Sequence, residues 1–131
     1  MKLFIGLGAI FCFSGVLAGA VGAHALKEYL IKMEGLNRYL LATDYMFYHG
    51  IALILVGFAL DRFPDIPFQR AGWLFVAGTF LFQGNLYLLS LTGIRVFSAL
   101  TPIGGICLLV GWLLLAVYAL QIRKSENKSI R

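Results

Sequence analysis

Gly15-Val16-Leu17-Ala18-Gly19-Ala20-Val21-Gly22-Ala23-His24 closes an apolar run with small residues at helical spacing and sets an imidazole at its end. With the residues upstream included, Gly8, Cys12, Gly15, Gly19 and Gly22 recur every three or four positions, which puts them on one face of a helix where a neighbouring backbone can come close. That is the pattern of a packing seam between membrane helices. The surrounding run, residues 3–23, carries no charge and spans about 31 Å as a helix, enough to cross a bilayer core. A secretory signal peptide competes for the same residues, because Lys2, the apolar run and Ala18-Gly19-Ala20 or Ala23-His24-Ala25 imitate its three-part pattern. We read the segment as an uncleaved anchor and the first spanning helix.

Composition points the same way. The chain has 131 residues, 60% of them hydrophobic and 13% charged, whereas a soluble domain is about 25% charged. A soluble core of this size cannot hide that much apolar surface, and the apolar residues fall into four long blocks rather than short alternating runs. The expected fold is therefore an all-α integral membrane protein: a four-transmembrane-helix bundle in one domain, residues 1–120, with an amphipathic helix between the first two spans. The partner implied is the lipid bilayer. The net charge of +5 does not suggest nucleic acid, since the basic residues stand at block ends and in the last ten residues with no continuous basic face. Cys12 and Cys107 lie in apolar blocks without Cys-x-x-Cys spacing and read as small packing residues.

After the first span, residues 25–44 place Leu26, Tyr29, Leu30, Met33 and Leu40 near one helical face, with Lys27, Glu28, Lys32, Glu34 and Arg38 elsewhere. Glu28/Lys32 and Glu34/Arg38 have the favourable i,i+4 orientation, and Gly35 is the expected break. The second span is expected at residues 45–60, its first turns polar with Tyr45, Tyr48 and His49 just after Asp44. Pro64 and Pro67 end it. A third span at 71–92 carries Gln83 and Asn85, amides that must point into the bundle because lipid offers them no partner. The fourth, at 101–120, opens with Thr101 as a cap and Pro102 in the first turn, and Gly104, Gly105, Cys107 and Gly111 supply a second set of small packing residues. Residues 121–131 read as a disordered basic tail.

With four crossings, Lys2, Arg62, Arg70, Arg123, Lys124, Lys128 and Arg131 fall on one side, and Lys27, Lys32, Arg38 and Arg95 on the other. The positive-inside rule then puts both termini in the cytoplasm of a bacterial inner membrane.

On these boundaries His24 ends the first span, His49 begins the second, Asn85, Tyr87 and Ser90 end the third and Thr101 begins the fourth. They are expected to form one polar cluster at the outer mouth of the bundle, with Tyr45 and Tyr48. Three readings attach to it. The histidines hold helix register by hydrogen bonding; or the mouth binds a lipid head group, quinone or other small ligand; or His24 and His49 are axial haem or metal ligands, the weakest of the three because no thiolate or second carboxylate joins Asp44 beside them. No metal or cofactor is expected. No Asp, Glu, Lys or Arg falls within the four apolar blocks, which argues against an ion-coupled transporter. Ser14, Ser90 and Ser98 have no histidine at a useful spacing, so nothing suggests hydrolase chemistry and no catalytic residue is assigned.

Gly22-Ala23-His24-Ala25-Leu26, Tyr48-His49-Gly50-Ile51-Ala52-Leu53, Gly84-Asn85-Leu86-Tyr87-Leu88-Leu89 and Thr101-Pro102-Ile103-Gly104-Gly105, followed by Gly111-Trp112, together resemble the small bacterial inner-membrane family catalogued as domain of unknown function 423, which is related to eukaryotic transmembrane protein 256. The likeness runs over about residues 6–117. It implies a four-helix membrane protein with an extracytoplasmic first loop, no assigned activity and a role in envelope integrity or stress tolerance. The motif positions it carries over are His24, His49, Tyr87, Pro102, Gly104, Gly105 and Trp112. Where the family more often has serines beside the third-helix glycine, this chain has Gln83 and Asn85. The function expected is that of a non-enzymatic structural or accessory component, a homo-oligomer or a subunit of a membrane assembly, with binding of a small ligand or lipid as the alternative.

Overall fold

A computed structural model describes residues 1–95 and 98–129, with side chains as far as residue 122. Helix α1 (Lys2–Ala23) is followed by the short α2 (Lys27–Lys32), the long α3 (Leu36–Arg62), α4 (Gln69–Thr79), one π-helical stretch (Phe80–Gly84), α5 (Asn85–Thr92) and α6 (Leu100–Ser129). The α4, π and α5 pieces form one continuous rod. Four helices are thus long and apolar enough to cross a membrane: Lys2–Ala23, Leu36–Arg62, Gln69–Thr92 and Leu100–Ile122.

They pack as two antiparallel pairs, α1 along α3 and the α4–π–α5 rod along α6, with α3 joining the pairs through its contacts with α4, the π stretch and α5. Each pair lacks the side-chain bulk that normally separates helices. A Cβ on Gly8 would stand 2.5 Å from the Gly50 carbonyl oxygen, and one on Gly50 would stand 2.6 Å from Cys12 Sγ. Gly22 lies under the Tyr39 ring. Gly15 and Gly19 have their nearest α3 atoms at 3.3 Å and 3.5 Å, so the seam is tight at its ends and looser between. In the second pair Gly104 faces the backbone of the π stretch, its Cβ position 2.5 Å from Phe82 N, and Gly111 faces the Phe75 ring at 2.8 Å. Gly105 has more room, 3.7 Å from the Phe82 ring. Between the pairs lies the apolar core of Phe4, Phe11, Leu53, Val56, Phe68, Phe75, Leu108 and Tyr118.

Three boundaries differ from the sequence reading. The residue 25–44 segment is not one amphipathic helix: α2 ends at Lys32, Glu34 takes a left-handed φ of 52°, and α3 begins at Leu36. Glu34 and Arg38 therefore do not share a helix. From Leu36 the chain continues unbroken into the second span, because nothing between Leu36 and Tyr45 interrupts an α-helix, and polarity alone had suggested the boundary at Tyr45. The backbone of the tail stays helical to Ser129, with residues 130 and 131 outside those described. Its charges mark where lipid ends rather than where the helix does.

These bounds fix depth. α1 meets α3 with Cys12 opposite Phe47 and Gly50, Gly15 opposite Thr43 and Phe47, and Gly57 opposite Ile5. The middle of α1 is thus level with residues 47–50, and His49 is the central residue of the 27 in α3. Trp112, near the middle of Leu100–Ile122, stands at the same level against His49.

Replacing Gly8 with Ala should lower stability by about 1–3 kcal/mol, the usual effect of overpacking, whereas Gly6→Ala, whose Cβ meets nothing within 4 Å, should leave it unchanged. Reversible unfolding in mixed micelles measures both.

Candidate functional site

The polar side chains of the bundle form three separate groups rather than one mouth. At the centre, His49 is 3% exposed and bonded on both ring nitrogens. The Trp112 indole Nε1–H donates to His49 Nε2 at 3.1 Å. That nitrogen must therefore hold a lone pair, which makes the ring neutral with its proton on Nδ1. Nδ1–H in turn donates to the Tyr45 carbonyl oxygen, 2.7 Å away and one helical turn back. The opposite tautomer would set two donors and two acceptors face to face.

The third partner is Gln83, fully buried, with an amide atom 3.2 Å from His49 Nδ1. A donating amide nitrogen there would oppose a donating ring nitrogen, and in that orientation the amide oxygen lacks a partner. Turning the amide by half a revolution lets Oε1 accept from Nδ1–H, and this orientation is the one we assign. Gln83 lies in the π stretch. A π turn adds a residue to the helix and tends to occur where a side chain must be aimed; here Gln83 is directed at α3, while Asn85, two residues on, is directed at α6. Thr79, one turn earlier, is also buried, and its hydroxyl oxygen has no protein partner.

The second group lies further toward the 24–35 end. Tyr39 donates to the Ala18 carbonyl at 2.8 Å and Thr43 donates to the Tyr39 carbonyl at 2.9 Å. Thr43 has then used its one proton, so the Tyr87 hydroxyl donates to Thr43 Oγ1 at 2.9 Å. The third group is a single bond, the Asn85 amide to the Thr101 hydroxyl. Thr101 is inside α6 rather than capping it, since the helix starts at Leu100.

His24 joins none of these. It is exposed in the turn after α1, about half a membrane thickness from His49, so the two histidines are not axial ligands of one group. Among the described residues no set of three His, Cys, Asp or Glu side chains gathers to hold a metal. Tyr48 is exposed and Tyr45 half buried. Both line a cavity of about 690 Å³ together with His49, Ile51, Phe82, Gly105, Leu108, Leu109 and Trp112. Tyr48, Ile51, Leu109 and Trp112 are exposed residues of spanning helices, so the cavity opens sideways, where the bundle meets lipid. It reaches from the level of His49 and Trp112 about 10 Å along α6 to Gly105. Its walls are aromatic: Tyr45 lies 6.0 Å from Tyr48, 5.4 Å from Phe82 and 5.7 Å from His49, ring centre to ring centre.

Sequence reasoning reached His49, Tyr45 and Tyr48 and turned Gln83 inward, but did not give Trp112 a place in the site. One signal for it was available. Tryptophan in membrane helices favours the interface, and an indole in the middle of an apolar run needs an acceptor there.

A family model described as protein of unknown function (DUF423) matches residues 18–105. A UPF0382 membrane protein of Staphylococcus aureus is 43% identical over 117 residues, 89% of this chain and 94% of the relative. Another, of Staphylococcus saprophyticus, is 41% identical over 93% of this chain and all of the relative, and UPF0382 membrane protein YwdK of Bacillus subtilis is 40% identical over 92% and 98%. No solved structure matches.

Replacing His49 with Ala strands the Trp112 N–H and should cost about 1–3 kcal/mol of stability, with His24→Ala neutral. Nitrogen-15 shifts of the His49 ring should report a neutral, Nδ1-protonated imidazole.

Proposed function

The chain belongs to the DUF423 family of membrane proteins of unknown function, and from that premise we propose that it is a non-catalytic binding protein for a lipid-soluble small molecule held in the lateral cavity. The observation that carries this reading is the cavity itself. Its volume of about 690 Å³ lies within the usual range for small-molecule sites, about 300–1,000 Å³, and it combines apolar walls with a few convergent polar groups in the usual way. The bonded Trp112–His49 pair forms its floor. An opening to lipid suits a molecule that arrives through the membrane, such as a quinone or a lipid, with its apolar body against Phe82, Leu108 and Leu109.

The same proposal places the protein in the bacterial inner membrane with both termini cytoplasmic, on the strength of seven basic residues at the terminal end of the bundle against four at the other. There it acts as a homo-oligomer or accessory subunit and contributes to envelope integrity or stress tolerance by retaining its bound molecule. Support for non-catalytic action comes from the engagement of both His49 nitrogens in structural bonds, which leaves no free base beside a nucleophile.

Native mass spectrometry of protein extracted gently from its own membrane should find a stoichiometric extra mass. Gly105→Leu, which fills the space between Gly105 and Phe82, should lose it while the bundle stays folded. A bare subunit in both samples would sink the binding reading and leave packing as the role of the bundle.

A further inference from the structure

Asp44 on α3 stands level with Gly15 and Val16, which lie well inside the uncharged run of α1. Asp44 lies five residues from His49, which is about 7.5 Å along the helix toward the 24–35 end, and half a bilayer core is about 15 Å. Asp44 is exposed, so it faces out of the bundle at hydrocarbon depth. A charge at the helix centre costs about 2.5–3.5 kcal/mol on insertion scales, less toward the interface, and intramembrane acids mark sites that pair with or bind something. Among the described residues no ion pair is made by Asp44, and the nearest basic residue along α3 is Arg38, six residues or about 9 Å further out.

Asp44 does not stand alone. It lines a smaller cavity of about 280 Å³ with Gly15, Val16, Thr43, Phe47 and Tyr48, and Tyr48 is also a wall of the large cavity. Asp44 and Tyr48 are i,i+4 neighbours on α3, so the carboxylate stands one helical turn from the Tyr48 wall of the aromatic site, in the adjoining cavity. Tyr45, Tyr48, Phe82 and Trp112 present ring faces and edges within one cavity, and aromatic faces attract cations at up to about 6 Å from a ring centre, more strongly when desolvated. Aromatic walls with one carboxylate beside them make a receptor for an organic cation.

Resting on the cavity reading above, we infer that the molecule held there is a lipophilic cation, an amine, quaternary ammonium or phosphonium on an apolar body, with the Asp44 carboxylate as its counter-charge. The body packs against the aromatic walls, and the positive centre lies between Tyr48 and Asp44. A neutral amphiphile would leave Asp44 without a partner.

The test uses full-length protein in lipid nanodiscs. Trp73→Phe leaves Trp112 as the sole tryptophan, and its fluorescence is titrated with tetraphenylphosphonium and with uncharged triphenylphosphine oxide. Tetraphenylphosphonium should quench Trp112 saturably. Asp44→Asn should weaken that binding at least tenfold, Asp44→Glu should retain it, and neither should alter the response to the uncharged probe. Asn is close to isosteric and position 44 is exposed, so loss of fold is not expected, and equal melting temperatures would check this. Equal affinity of wild type and Asp44→Asn for the cation overturns the inference, as does a lack of saturable quenching by tetraphenylphosphonium. In either case an extra mass that Gly105→Leu removes would leave the cavity reading standing, and the absence of that mass would remove both.

Discussion

An imidazole at the middle of a membrane has no water to bond with, and this one requirement ties three of the four spanning segments together. His49 takes its acceptor from its own helix at Tyr45, its donor from α6 at Trp112 and a further amide from the π stretch at Gln83. The bonds to Trp112 and Gln83 cross to two different neighbours, so none of these helices slides or rotates without breaking one. Apolar contacts alone cannot fix such a register, because lipid tails are as apolar as the side chains they would replace.

The first helix is held by the other device. α1 touches the His49 network nowhere and instead lies against α3 through Gly8, Gly50 and Gly57, where backbones meet almost without side chains. Close approach multiplies weak dispersion contacts, and among the described residues α1 adds only the Cys12 thiol, donating to the Phe47 carbonyl, and the Ala18 carbonyl, accepting from Tyr39. The division has a consequence for the site. Because α1 is packed by backbone on one side of α3, the opposite side remains free to carry His49, Tyr45 and Tyr48 toward the cavity. The π stretch completes the division on the other pair, since it brings Gln83 to α3 while its backbone still accepts the close approach of Gly104.

Much of the architecture was legible in residue pattern. Long uncharged runs and glycines at helical spacing report directly on lipid and on helix contact, and the four spans follow from them. The site was legible in its residue types but not in its grouping. Tyr87 with Thr43, Asn85 with Thr101 and His49 with Trp112 are pairings between helices, and a sequence holds no record of which faces meet. The π stretch was not legible at all, because Phe80-Leu81-Phe82-Gln83-Gly84 has no composition that distinguishes it from an α-helix.

The costliest error was a boundary, and it shows where membrane sequences mislead. Polarity sets the edge of the second span at Tyr45, whereas the helix itself begins at Leu36, nine residues or about 13 Å earlier, so Asp44 and His49 lie within it rather than at its end. Hydropathy placed the edge where polar residues thin out, which is reliable only when polar residues mark the interface. Here the polar residues of α3 lie along an unbroken helix and bond or line cavities within the bundle, so the signal that locates a helix end in an ordinary span does not locate one here. Both Asp44 and His49 belong to the interior half of one continuous helix, and the paucity of charge elsewhere in the bundle makes that pair its chemical centre.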